Sequence, residues 1–193
     1  MTKKFIAVFA LTCLLAFTAL YAATKYKIDK NHSTVGFDVP IVNGIAKVTG
    51  KFMDFAIDVD WNDEDPSAST VYATIEVNSI TTGIEARDNH LKSADFFDVE
   101  NYPQITFQSK DIMVNGGMGY TLTGTLTMHG VSRELSLLLL VDEYASPEDG
   151  HVWKAFTVVG KLNRRDFGIN WEHNSVPFFV GDEIGIDISV ITR

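Results

Sequence analysis

Cysteine is nearly missing from this chain of 193 residues: the one copy, Cys13, lies within the first twenty positions. Beyond it there is no thiol, which excludes disulfide staples, cysteine–zinc sites and thiol nucleophiles. Histidine is also scarce. The five copies, His32, His90, His129, His151 and His173, include no two at the spacing by which a helix or strand presents a metal pair. No Gly-rich phosphate loop, nucleophile elbow or zinc signature occurs. His32 and Ser33 are neighbours, but adjacent side chains of an extended segment point to opposite faces, so the imidazole cannot activate the hydroxyl. Hydrogen bonding at a turn or strand entry is their expected role, and an N-terminal helical turn accounts for Asp88 and His90. The expectation is a protein that is not an enzyme and needs no metal or cofactor.

Positive charge is in deficit. Without Lys3 and Lys4, 14 basic residues face 25 acidic ones, a net charge of −11. Such a surface repels phosphate backbones, so nucleic acid is excluded as a partner. The acids are scattered through turns such as Asn62-Asp63-Glu64-Asp65 and Pro147-Glu148-Asp149, where they favour solubility.

Long apolar runs are lacking too, with one exception. Lys3 and Lys4 precede an uncharged stretch from Phe5 to Leu20, and Ala22 and Ala23 follow it. This is the layout of a secretory signal peptide, and the run is short for a membrane span. Residues 1–23 are therefore expected to be removed after Ala22 or Ala23, leaving 24–193 as one domain in the periplasm or outside the cell, with no transmembrane span.

What the rest contains is a period of two. Val71, Ala73, Ile75 and Val77 alternate with Tyr72, Thr74 and Glu76, and Ile184, Ile186, Ile188 and Val190 alternate with Gly185, Asp187 and Ser189. Segments with one apolar and one polar face are half-buried antiparallel strands. About eight are expected, separated by turn clusters such as Asn43-Gly44 and Asp149-Gly150, enough to close a small all-β barrel with room for side chains or one ligand. One helix interrupts them: Thr82 and Glu85 have capping-box spacing, Ile84 and Leu91 share a face, and the helix should end near Lys92–Ser93 and lie across one barrel end. Phe52 and Phe55 have opposite parity, which requires a bulge or two-sided burial. Leu137–Val141 is apolar on both faces.

Periodicity alone does not say whether the apolar faces point in or out, and an outer-membrane barrel alternates in the same way. The inward arrangement is favoured because the reverse would crowd Glu76, Lys110 and Glu134 into a narrow lumen, and because the chain ends in Arg193 instead of an aromatic residue. Inward apolar faces would line an elongated cavity with Val35, Phe37, Phe55, Ile57, Ile75, Phe107, Leu122, Leu126, Met128, Phe156, Val158, Ile186 and Ile188. Phe96, Phe97, Phe167, Trp171, Phe178 and Phe179 lie outside clean strands, where aromatic residues can close a barrel mouth. A matching ligand is long, apolar and weakly polar at one end.

Five motifs carry a family resemblance: DKNHSTVGFDV from Asp29, GKFMDFAIDVDW from Gly50, TTGIEARDNHLKSADFFDVENYPQITFQS from Thr81, TLTGTLTMHGVSRELSLLL from Thr121 and KLNRRDFGI from Lys161. Together with the closing VGDEIGIDISV they resemble, in order and over nearly the whole mature chain, the YceI-like family of lipocalin-like polyisoprenoid-binding proteins of the bacterial periplasm. The resemblance implies a lipocalin-like barrel that carries a polyisoprenoid lipid or isoprenoid quinone in lipid or quinone traffic or stress tolerance. The chain departs from the family where many members have a histidine after the first strand's phenylalanine; here the sequence reads Val39-Pro40-Ile41-Val42. Arg164, Arg165 and Asp166 are expected to pair at a barrel corner, with a headgroup contact open to either arginine. Two rival readings stand beside the carrier: a solidly packed interaction module, with Leu138 and Leu140 forming a homodimer surface, and a lipid-modifying enzyme.

Overall fold

Alternating Val, Ile, Phe and Thr fit a pleated, half-buried surface, and from Thr34 onward that pattern is realised as strand after strand. The computed structural model describes residues 23–193; the signal peptide inferred from the sequence lies outside the described residues. The strands are β1 (Thr24–Tyr26), β2 (Thr34–Ile41), β3 (Ala46–Phe52), β4 (Phe55–Trp61), β5 (Thr70–Glu76), β6 (Ile80–Thr81), β7 (Gln104–Val114), β8 (Tyr120–Met128), β9 (Val131–Ala145), β10 (Val152–Asn163) and β11 (Glu183–Ile191). One helix, α1 (Glu85–Lys92), lies between β6 and β7. All strands belong to one antiparallel sheet in the order β1-β4-β5-β7-β8-β9-β10-β11-β2-β3-β6.

The sheet curls into a barrel because β3 and β4, consecutive in the chain, stand near opposite ends of that order. The joint falls between Phe52 and Phe55. There Ser79 Oγ accepts from the Met53 and Asp54 amides at 3.1 and 2.9 Å and donates to the Glu76 carbonyl at 2.6 Å. The break resets the alternation, so both phenylalanines are buried inside. This answers their parity conflict and corrects the strand count. Among the described residues there are eleven strands and not eight, because the Gly50–Trp61 motif is split between two strands and because β1 and β6 are short pieces without sequence periodicity. At the other side of the seam Ile28 bridges to Thr192, and the Asp29 amide donates to Ile191 O at 2.8 Å.

His32 and Ser33 do serve strand entry. The imidazole Nδ1 lies 2.9 Å from Asp29 Oδ2, while Ser33 Oγ donates to Asp29 O and accepts from the Ile191 amide. The β8–β9 turn consists of His129 and Gly130 alone, at φ +52° and +72°. Positive φ at both positions gives the turn whose twist matches the flanking strands. Helix α1 begins differently from expectation. Its N-cap is Ile84, which offers no side-chain cap, and Thr82 and Glu85 form no capping box. Asp88 reaches back instead and accepts from the Thr82 amide at 2.8 Å, the Thr82 hydroxyl at 2.5 Å and the Thr81 hydroxyl at 3.1 Å.

Apolar faces point inward and polar ones outward, with Lys110 and Glu134 paired on the outer surface at 2.6 Å. Leu137 and Leu139 enter the core, while Leu138 and Leu140 stay half-buried on the outside of β9.

Candidate functional site: an apolar cavity in the upper half of the barrel

Two halves of the barrel interior differ. In the lower half, toward the 146–151 and 115–119 turns, aromatic rings fill the lumen: Trp61 packs edge-on against Tyr120 and Phe156 at 5.2 and 5.6 Å between centroids, and Tyr26 meets Phe156 at 6.0 Å. Leu122, Ile112, Leu139 and Val59 complete this plug and are almost wholly inaccessible. Glycine lets large neighbours in. A side chain at Gly124 would collide with the Phe107 ring and with Gln108 O.

Above the plug lies a cavity of about 400 Å³, within the range of about 300–1,000 Å³ usual for small-ligand pockets. Its walls are the upper inward positions of β2, β3, β5, β7, β8, β10 and β11. The register aligns Phe37 with Ile186 on one side and Gly50 on the other, and the Phe37 ring lies over Gly50 in the space a β-carbon would need. Its cover comes from α1 and from the segments after it and after Phe167. His90, Phe96 and Trp171 form a ring cluster with centroids 5.0–5.2 Å apart.

Among the described residues three side chains with ionisable groups line the cavity, Arg87, His90 and Arg164, and no carboxylate, hydroxyl, thiol or amine does. Each of the three is engaged. Arg87 donates to the Thr82 hydroxyl at 2.7 Å and carbonyl at 3.0 Å, and His90 Nε2 lies 2.8 Å from Asp95 Oδ2. Arg164 is buried and donates to the carbonyls of Ile169, Trp171 and Gly181 at 2.8–3.0 Å, with Asp182 at 2.9 Å as counter-ion. Burial lowers its guanidinium pKa below the ordinary arginine value against the opposing pull of Asp182. Arg165 sits outside the lining, paired with Asp182 and Glu172. The corner corrects the expectation: the arginines pair with Asp182 and Glu172, which arrive from later in the chain, and not with Asp166, and the result is a clamp. Arg164 fastens residues 169–182 to the barrel and with them part of the cavity cover.

Of the residues expected in the pocket, eleven meet there: Val35, Phe37, Ile75, Phe96, Phe97, Leu126, Met128, Trp171, Phe179, Ile186 and Ile188. The other eight do not. Phe107, Leu122 and Phe156 belong to the plug, and Val158 packs against the core beside it. Phe55 and Ile57 border a separate groove with Tyr26 and Ile28. Phe167 is buried beneath the Arg164 turn, its carbonyl 3.0 Å from His129 Nδ1. Phe178 is 75% exposed. The reason is common to the strand residues: parity fixes which face a side chain takes but not its height in the barrel.

Fourteen further residues line the cavity, and of these the sequence reading had offered only Arg164, as an open headgroup contact. Several were within reach of it. Val39, Ile41, Ile184, Ile105 and Leu162 extend the parity of neighbours already chosen, and Arg87, His90 and Leu91 share a face at helical spacing. Val39 and Ile41 turn aliphatic side chains into the cavity.

The sequence model of the YceI-like domain matches residues 26–192. The chain belongs to the YceI-like family. Protein YceI of Salmonella arizonae is 34% identical over 169 residues, covering 86% of this chain and 87% of that protein. Among solved structures, BcnA of Burkholderia cenocepacia superposes with a TM-score of 0.77 at 23% identity, over 86% of this chain and all of that one. A polyisoprenoid-binding domain from Saccharophagus degradans shares the fold at a TM-score of 0.64 and 14% identity, over 89% and 98% of the two chains. The lipocalin-like barrel of the YceI-like family is therefore this chain's architecture.

Proposed function

We propose that this chain is an exported, soluble binding protein that carries one chain-like isoprenoid lipid or isoprenoid quinone with its tail in the barrel cavity. The observation that supports this most is the composition of the cavity wall among the described residues: aliphatic and aromatic almost throughout, with the ionisable side chains of Arg87, His90 and Arg164 each already engaged. Such a wall offers a tail van der Waals contact and removal from water, at about 0.8 kcal/mol per buried methylene. A five-carbon unit thus contributes about 4 kcal/mol before the costs of association and ordering. Affinity then grows with the length of chain admitted until the tail reaches the ring plug. The polyisoprenoid-binding relative of the same fold supports the choice of ligand class.

Neither rival fits as well. A solidly packed module has no use for the cavity, and an enzyme acting on the lipid needs an acid, base or nucleophile among the lining residues. His90, paired with Asp95, has no hydroxyl, thiol, amine or carboxylate beside it among the described lining residues to serve as nucleophile or second acid, and the two arginines are held by backbone carbonyls.

Trp171 supplies the test, because it lines the cavity while Trp61 lies in the plug. Titration with a prenyl quinone should quench emission and saturate at one ligand per chain, and Trp171→Phe should remove most of the response. No saturable quenching with quinones of any tail length would refute the proposal.

A further inference from the structure

Beside the cavity, two loops project apolar residues into solvent. The β2–β3 turn carries Val42 and Ile45, and the segment before β11 carries Val176 and Phe178. Ile45 is 85% exposed and Phe178 75%. The loops are joined as one rim: the Val42 amide donates to Phe179 O at 2.8 Å, the Asn43 amide to Phe178 O at 3.1 Å and the Gly181 amide to Pro40 O at 2.7 Å. Val42 and Phe178 both have left-handed backbone, at φ +52° and +55°. That conformation is unfavourable for a β-branched or bulky residue. At each site an asparagine or glycine would be easier to accommodate, yet the chain places an apolar side chain there. Phe178 and Phe179 divide the two directions, one to solvent and the other into the cavity wall.

Local charge suits a contact at this cavity-side rim, although the protein as a whole is acidic and residues 112–133 at the far end are likewise free of acids. Residues 39–53 and 173–181 contain no aspartate or glutamate, and the first stretch carries Lys47 and Lys51. Acids resume on either side, at Asp38, Asp54, Glu172 and Asp182. A patch that is apolar at its tips and free of negative charge suits the interface of a phospholipid bilayer, where anionic groups repel an acidic surface.

We propose that the rim formed by the Val42–Ile45 turn and the Val176–Phe178 loop is a membrane-docking surface, which sets the cavity against a bilayer. The tips enter the headgroup boundary while the acidic remainder stays in water. The surface depends on residues outside the cavity wall, so docking and ligand binding are separable properties. In the carrier reading, on which the purpose of docking rests, an isoprenoid tail passes between bilayer and cavity without crossing bulk water.

The test is flotation of the mature protein with vesicles of phosphatidylcholine containing a minor fraction of phosphatidylglycerol. The variant Ile45→Asn/Phe178→Asn removes both tips; left-handed backbone at Phe178 suits asparagine and Ile45 is almost wholly exposed, so folding is preserved. Met118→Asn is the control, since Met118 is 68% exposed on the β7–β8 turn at the opposite end. Each buried tip contributes about tenfold in partitioning, so the double variant should lose on the order of 100-fold while Met118→Asn binds as the parent does. Equal binding by all three, or none by the parent, overturns the docking surface. Quinone quenching at Trp171 in detergent-free buffer is read on the same samples. Retained quenching with no vesicle binding refutes docking alone, whereas vesicle binding without quenching refutes the carrier reading.

Discussion

Enlarging one inward residue should have opposite consequences in the two halves of the barrel. Ile186 sits in the cavity wall between Phe37 and Gly160 in the register. Ile186→Trp would project into empty space and displace about five methylenes of a bound tail. At about 0.8 kcal/mol each that is about 4 kcal/mol, close to a thousandfold in Kd. Because the added ring fills a void, the unliganded fold should keep its stability or gain from the change. Leu122 has no such void. It is 2% exposed within the plug and pairs with Ile112 and Leu137. Leu122→Trp should overpack the core and cost about 1–3 kcal/mol of folding free energy, leaving quinone affinity within a few-fold of the parent. Urea unfolding gives the first quantity and quinone titration the second. If Ile186→Trp bound quinone as the parent does, the tail would not occupy the cavity and the reasoning would fail.

Three further outcomes follow from the same geometry. Arg164→Ala leaves the carbonyls of Ile169, Trp171 and Gly181 without their donor and Asp182 without its closest buried partner; it should cost about 3–5 kcal/mol, and limited proteolysis should cut first within 169–182. Gly124→Ala, which forces a β-carbon against the Phe107 ring and Gln108 O, should lower urea stability by about 1–3 kcal/mol. Asp88 concerns acid stability. Burial raises its carboxyl pKa, but hydrogen bonds from Thr82 and Thr81 outweigh this and leave it below the ordinary value. A depressed folded pKa means a contribution fully present above the unfolded value, about 3.9, and lost as pH falls through the folded one. Asp88→Asn should therefore lower stability at neutral pH by about 1 kcal/mol, and the loss should shrink toward zero in a Tm series carried to acid pH.

The sequence announced the strands and the barrel because alternation survives wherever one face is buried, as in Ile184–Val190. It did not announce β1 or β6, which are too short to alternate, or the split at Met53–Asp54, which depends on Ser79 arriving from 25 residues away. The capping of α1 was misread for a similar reason: Thr82 does take part, but as donor to Asp88 and not as a cap paired with Glu85. In the cavity, parity separated inside from outside correctly for Phe156 and Leu122 as for Ile186. Height along the barrel, which divides plug from pocket, is set by which strands lie next to each other and by glycines such as Gly124 that admit a large ring. Neither is written into the alternation of a single strand. Phe178 and Phe179 show the limit at a loop, where only the backbone conformation decides which ring turns inward.

Native mass spectrometry of the purified protein, followed by organic extraction and identification of the released lipid, tests the central claim most directly. The account predicts one prenyl chain or quinone per protein, lost or sharply reduced in Ile186→Trp. A mass equal to the bare mature chain, unchanged after incubation with prenyl quinones, would contradict it.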